Sequence, residues 1–132
     1  MRKQLINPPQ LYDGRPVGLS HAIIDTASGI VYISGQVDWD VNHQVSSYTV
    51  EGQLSNALTN LTIVLEAAGS SVENLLSLRL YVRGEFGEYW GTIAPIVGQF
   101  LAESRAALTG IGVSSLASPE TLVEIEATAA LK

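Results

Sequence analysis

Two glutamates one residue apart, Glu124 and Glu126, stand in an otherwise apolar run, Leu122-Val123-Glu124-Ile125-Glu126-Ala127. Alternate residues of a strand point to one face, so both carboxylates project from the same side. A carboxylate against apolar surface has its charged form disfavoured and its pKa raised. Such a group can take up or release a proton near neutral pH. The structural alternative is pairing with Arg79 or Arg83 on a neighbouring strand, and the spacing does not choose between the two.

The other candidates carry less. Ser20-His21 and Ser34-Gly35 supply serines and a histidine, but strand neighbours point to opposite faces and there is no Gly-x-Ser-x-Gly elbow. Asp38, Asp40 and His43 are oxygen and nitrogen donors of the kind that hold a divalent ion. Around Asn42-His43 they read instead as an acidic, solvated hairpin turn, with Trp39 as a packing or interface residue, and no metal is expected. Gly110 and Gly112 lie in a strand pattern, where glycine permits close backbone approach or a bulge. The chain has no cysteine, which removes disulfides, thiolate nucleophiles and cysteine-ligated metals.

The elements that must position these groups are legible as periodicities. Residues 7–18 hold Pro8, Pro9, Gly14, Pro16 and Gly18 and read as an irregular lead-in. His21–Asp25 and Ile30–Val37 form a hairpin around Thr26-Ala27-Ser28-Gly29, and Val45 opens a short strand. From Ser47 to Ala68, Leu54, Ala57, Leu58, Leu61, Val64, Leu65 and Ala68 make one apolar helix face, stopped at Gly69. Gln53, Asn56, Asn60 and Glu66 form its polar face. Ser70-Ser71-Val72-Glu73 resembles a capping box. Leu76, Leu78, Leu80 and Val82 alternate with polar residues as a half-buried strand. Glu88–Ala102 is a helix with a kink or ragged first turn at Pro95. Leu108–Ser115 and Leu122–Leu131 are the final strands. The sum is a single α+β domain over 1–132, a mixed sheet with two helices on one face.

Bulk numbers agree. Of 132 residues, 46% are hydrophobic and 15% charged, less than the quarter usual for a small globule, so part of the surface is expected to be buried between copies. Net charge is −6 with no basic run, which argues against nucleic acid. No segment has a membrane span's length, and the first residues lack the apolar run of a signal peptide, which suits the cytoplasm.

Taken together, Leu19-Ser20-His21-Ala22, Val31-Tyr32-Ile33-Ser34-Gly35-Gln36-Val37, Leu65-Glu66-Ala67-Ala68-Gly69 and Leu122-Val123-Glu124-Ile125-Glu126-Ala127 resemble the RidA/YjgF family from about residue 16 onward. The resemblance implies a chorismate-mutase-like fold and a homotrimer with sheets around its axis and small-molecule clefts between subunits. It implies cofactor-free hydrolysis of enamines and imines, such as 2-iminopropanoate and 2-iminobutanoate, to carbonyl compounds and ammonia. Ser34 and Gly35 match the family's substrate-holding turn, and Glu124 its water-positioning glutamate.

Three positions depart from the pattern. Leu108 falls where the family has the arginine of Pro-Ala-Arg-Thr, Leu19 where many members have tyrosine, and Ala94 about where some place asparagine. Arg105 lies three residues before Leu108, a reach of roughly 10 Å for extended chain. Leucine cannot supply the forked hydrogen bonds that a carboxylate takes from arginine. The expectation is a deaminase with altered substrate range, in which Arg105 or Arg79 is the candidate to stand in for the arginine. The alternative is a non-catalytic metabolite-binding or regulatory trimer. Endoribonuclease activity, attached to some relatives, is least favoured by the acidic charge.

Overall fold

The computed structural model describes residues 2–132. The six strands are β1 (Lys3–Ile6), β2 (Ala22–Asp25), β3 (Ile30–Gln36), β4 (Leu75–Arg83), β5 (Ala107–Val113) and β6 (Val123–Ala130), and the helices are α1 (Val50–Ala67) and α2 (Phe86–Leu101). They form one sheet in the order β1-β2-β3-β6-β4-β5. Only β4 and β5 pair in parallel; every other pair is antiparallel. The α+β architecture read from the sequence therefore holds. Among the described residues, no helix is long and apolar enough to cross a membrane.

The order follows from where apolar surface can go. β6 alternates strictly, with Val123, Ile125, Ala127 and Ala129 buried and the residues between them half-buried. The expected stripe of α1 is buried from Leu54 to Leu65, and α2 adds Ile93, Val97 and Leu101. α1 is closed at both ends by its own sequence. Thr49 accepts the Gly52 N–H at 3.0 Å, and Gly69, at φ 78°, lets the Ser70 N–H reach back to the Leu65 carbonyl at 2.9 Å.

Several elements differ from expectation. β1, in the N-terminal stretch, was not foreseen; it pairs with β2 from Lys3 opposite Asp25 to Ile6 opposite Ala22. Val45 opens no strand. It lies in a loop where the Asp38 carboxylate accepts the N–H groups of Ser46 at 3.1 Å and Ser47 at 2.8 Å. Asp38 is thus buried, not solvated. The expected capping box is not made: Ser71 starts a short turn without capping the backbone, and its hydroxyl donates to the Asn74 side-chain oxygen. A register shift in β4 between Leu75 and Ser77 turns Leu76 outward and gives its core place to Leu75. α2 starts at Phe86 and runs through Pro95, with Gly91 four residues earlier where the proline ring meets the preceding turn.

Gln53, expected on the polar face of α1, is fully buried. Its amide nitrogen donates to the Ser47 carbonyl at 3.0 Å and the Glu120 carbonyl at 2.7 Å, and its oxygen accepts the Leu122 N–H at 2.7 Å. One amide thereby ties α1 to both the loop before it and the entry to β6.

The other sheet face has no layer over it. Cross-strand register places Leu5, Ile23, Tyr32 and Thr128 in one row on this face, and Ile111, Tyr81 and Glu124 in another. Replacing Gln53 with Leu strands three part-buried backbone groups, each costing on the order of 1 kcal/mol. The variant is expected to lose about 3 kcal/mol of unfolding free energy in urea titration.

Candidate functional site

Glu124 and Glu126 share the uncovered face, as their spacing requires, but their surroundings separate them. The Tyr81 hydroxyl donates to Glu126, and the Arg79 guanidinium lies 3.5 Å from the same carboxylate. Arg83 turns away and donates to the Pro119 carbonyl. Among the described residues, no hydrogen bond or ion pair reaches the Glu124 carboxylate. The pairing alternative therefore describes Glu126, and Glu124 is the free group. Burial pushes the Glu124 carboxyl above its ordinary value, and the nearby Glu126 charge adds to the shift.

What holds Glu124 in place is a missing side chain. Ile33 pairs with Ala127 and Gln36 with Ile125, so Ser34 and Gly35 together stand opposite Glu126. This is a β-bulge, a device that bends a strand and re-aims what it carries. A Cβ on Gly35 would lie 2.0 Å from a Glu124 carboxylate oxygen. Glycine there is a steric requirement: the carboxylate rests over the Gly35 backbone. Ser34 is engaged on the hairpin side, its N–H donating to the His21 carbonyl at 2.9 Å and its hydroxyl to the Ser20 carbonyl at 2.6 Å. Its role is to fix the bulge, with the oxygen lone pairs left to accept.

Sequence reading missed Tyr12. It lies half-buried in the lead-in, and its phenol is pushed above the ordinary range by burial and then by the Glu124 charge. Its carbonyl accepts the His21 Nε2–H at 2.8 Å, while His21 Nδ1 accepts from the Gln36 amide at 3.2 Å. His21 is thus a buried structural histidine with both ring nitrogens engaged. The only sequence signal for Tyr12 was an aromatic residue in a proline- and glycine-rich segment. Leu19, also half-buried, packs so tightly on the same segment that a Cβ at Gly14 would lie 2.5 Å from its side chain.

The remaining predicted residues lie elsewhere. Leu108 is in parallel register with core residue Leu78, and a Cβ on Gly110 would meet the Phe86 ring, so Leu108 points to the helix side of the sheet. Glu124 points to the opposite side from a strand two positions away, about 10 Å across the sheet. Arg105 is exposed in the turn before β5, at φ 43°, and Ala94 is half-buried on α2. Arg79 is committed to Glu126. One chain brings together Glu124, Gly35, Ser34 and the lead-in, and keeps Leu108, Arg105 and Ala94 apart from them. Asp40 spends its carboxylate on the Asn42 and Gln44 N–H groups, so with Asp38 it shapes the loop.

A mixed sheet with two helices on one face and a lone carboxylate over a glycine bulge on the other defines a small α+β protein with a candidate acid–base group. A family model described as Endoribonuclease L-PSP matches residues 15–131, and the chain belongs to this family, the RidA/YjgF proteins. RutC family protein PH0854 of Pyrococcus horikoshii is 27% identical over 117 residues, covering 87% of this chain and 89% of that one. The crystal structure of YyfB, a Rid family protein of unknown function from Yersinia pestis, is 36% identical with a TM-score of 0.74, covering 99% of this chain and 100% of that one. An Entamoeba histolytica structure described as an endoribonuclease L-PSP is 27% identical with a TM-score of 0.85, covering 98% and 99%.

Because folding raises the Glu124 pKa, the folded chain holds that proton more tightly than the unfolded chain. The cost of ionising it is absent below the ordinary value of 4.5 and fully present above the folded pKa. Glu124→Gln removes that cost. The variant is expected to melt roughly 1–3 °C above the parent at pH 7 and level with it at pH 4, as read by circular dichroism.

Proposed function

We propose that the chain is a Rid-type deaminase that hydrolyses imines or enamines, working as a homotrimer with an altered substrate range. One observation carries the reading: a half-buried carboxylate with no partner among the described residues, held over a glycine bulge, while its neighbour Glu126 accepts from Tyr81 and lies against Arg79. A carboxylate whose charged form is disfavoured by burial, held in a protected place, is the expected form of an acid–base catalyst. Glu124 as carboxylate takes a proton from water as the water oxygen bonds to the iminium carbon. The C=N electron pair moves onto nitrogen and gives a carbinolamine. Protonated Glu124 then hands its proton to that nitrogen. The C–N bond breaks, the departing ammonia takes up the hydroxyl proton, and a carbonyl compound and ammonium leave. No step calls for a cofactor.

Two observations support the trimer. An uncovered face bearing Leu5, Ile23 and Tyr32 gains cover from other copies. The separation of Leu108, Arg105 and Ala94 from Glu124 within one chain fits a cleft whose walls come from two copies. Leucine at the place of the family arginine favours substrates larger or less charged than 2-iminopropanoate. The same leucine also supports the second reading, a trimer that binds a metabolite without turning it over.

Ammonia release from freshly generated imines decides between them. Several imines should be hydrolysed faster than in buffer, with Glu124→Gln slower by about a hundredfold or more. If no imine tested beats the uncatalysed rate, the deaminase reading falls and the binding reading stands. Light scattering on the eluted protein should give three times the mass of one chain, and Tyr32→Lys should shift it to one chain. A parent that runs as a monomer at tens of micromolar would remove the trimer.

A further inference from the structure

Next to the Glu124 site stands a group of rings that the deaminase chemistry does not use. The Tyr12 ring is met by His21 at 4.6 Å, His43 at 4.9 Å and Trp39 at 5.3 Å between centroids, and Trp39 meets His43 at 5.1 Å. The group is anchored to the strand segment that carries the site. Gln36, adjacent to Gly35, holds His21, and His21 holds the Tyr12 backbone. His43 sits at φ 62°, a conformation that costs a non-glycine residue about 1 kcal/mol and persists only where the surroundings impose it. The Trp39 indole N–H is buried without an acceptor among the described residues, so no hydrogen bond of its own sets that ring's position.

The electrostatics around these rings are one-sided. Asp38 and Asp40 flank Trp39 in sequence, each carboxylate accepting backbone N–H groups, and the Glu124 charge reaches the Tyr12 phenol. Of the arginines, Arg15 grips Asp13 and Arg79 lies 3.5 Å from Glu126, while Arg83 donates to the Pro119 carbonyl and keeps its charge. Aromatic faces and unneutralised carboxylates both attract a cation and repel a carboxylate.

We propose that Tyr12, Trp39 and His43 form the specificity wall of the Glu124 site, selecting a ligand with a planar apolar body, a positively charged nitrogen and no carboxylate. The proposal rests on Glu124 being the group at the reacting centre and names the substrate class: iminium ions of amines rather than of amino acids. The rings take the planar body, and Glu124 faces the nitrogen.

The test uses three probes of similar shape, benzylammonium, benzyl alcohol and benzoate, titrated into full-length Trp90→Phe protein so that Trp39 alone reports by fluorescence. Benzylammonium should bind about tenfold more tightly than either of the others. Glu124→Gln should bring it level with benzyl alcohol. Tyr12→Leu should weaken it about five- to tenfold, and Tyr12→Phe, which keeps the ring, should bind as the parent does. Benzoate binding as tightly as benzylammonium overturns the proposal, and so does a folded Tyr12→Leu protein with unchanged affinity. If Tyr12→Leu fails to fold, the ranking of the probes and the Glu124→Gln titration decide. Turnover is not needed for any of these readings. Benzylammonium selectivity without ammonia release from any imine would sink the deaminase and leave the wall. Hydrolysis of 2-iminopropanoate together with tight benzoate binding would do the reverse.

Discussion

A central strand has two faces, and what each can carry is set by what lies over it. β6 runs between β3 and β4 and presents valine, isoleucine and alanine to the helices. That burial fixes its register, because a slip of one residue would drive Glu124 and Glu126 into the core. The two carboxylates are therefore held on the open face by hydrophobic packing behind them. The apolar layer is the rigid part, and the two carboxylates are what the pleat leaves on the other side.

On that face the neighbours divide the labour. β4 supplies Tyr81 and Arg79 opposite Glu124 and Glu126, yet both side chains settle on Glu126. β3 supplies a bulge and a glycine, which give Glu124 room without giving it a partner. An unpaired, partly desolvated carboxylate destabilises a fold, and such local costs are commonly kept where function needs them.

How much of this was readable in the sequence depended on range. Period-two and period-3.6 patterns found α1, β4 and β6 because burial is a local signature in those segments. The Glu124–Glu126 pair was readable for the same reason. Leu76 broke the pattern because a bulge is set by pairing with Ala129 and Thr128, over fifty residues away. Gln53 looked like a surface amide because its three partners sit at Ser47, Glu120 and Leu122. β1 escaped because a four-residue edge strand carries little periodicity. Tyr12 escaped because it reaches the site through His21 and Gln36, not through a motif. The leucine at 108 was plain in the sequence, but its place on the face opposite Glu124 came only from the parallel pairing of β4 with β5.

The strand order has a consequence for how the chain is made. β6 is the last element in chain order, yet it fills the middle of the sheet. During synthesis the β1–β2–β3 meander and the β4–α2–β5 unit emerge first, each with an open edge meant for β6. Until that strand arrives, the chain offers two unpaired ladders and an uncovered helix face, the features that invite association with other nascent chains. Closing the sheet also requires contacts distant in sequence, which form slowly. The same strand that carries Glu124 therefore closes the sheet, so the carboxylate comes to rest over Gly35 only when β3, β6 and β4 are joined.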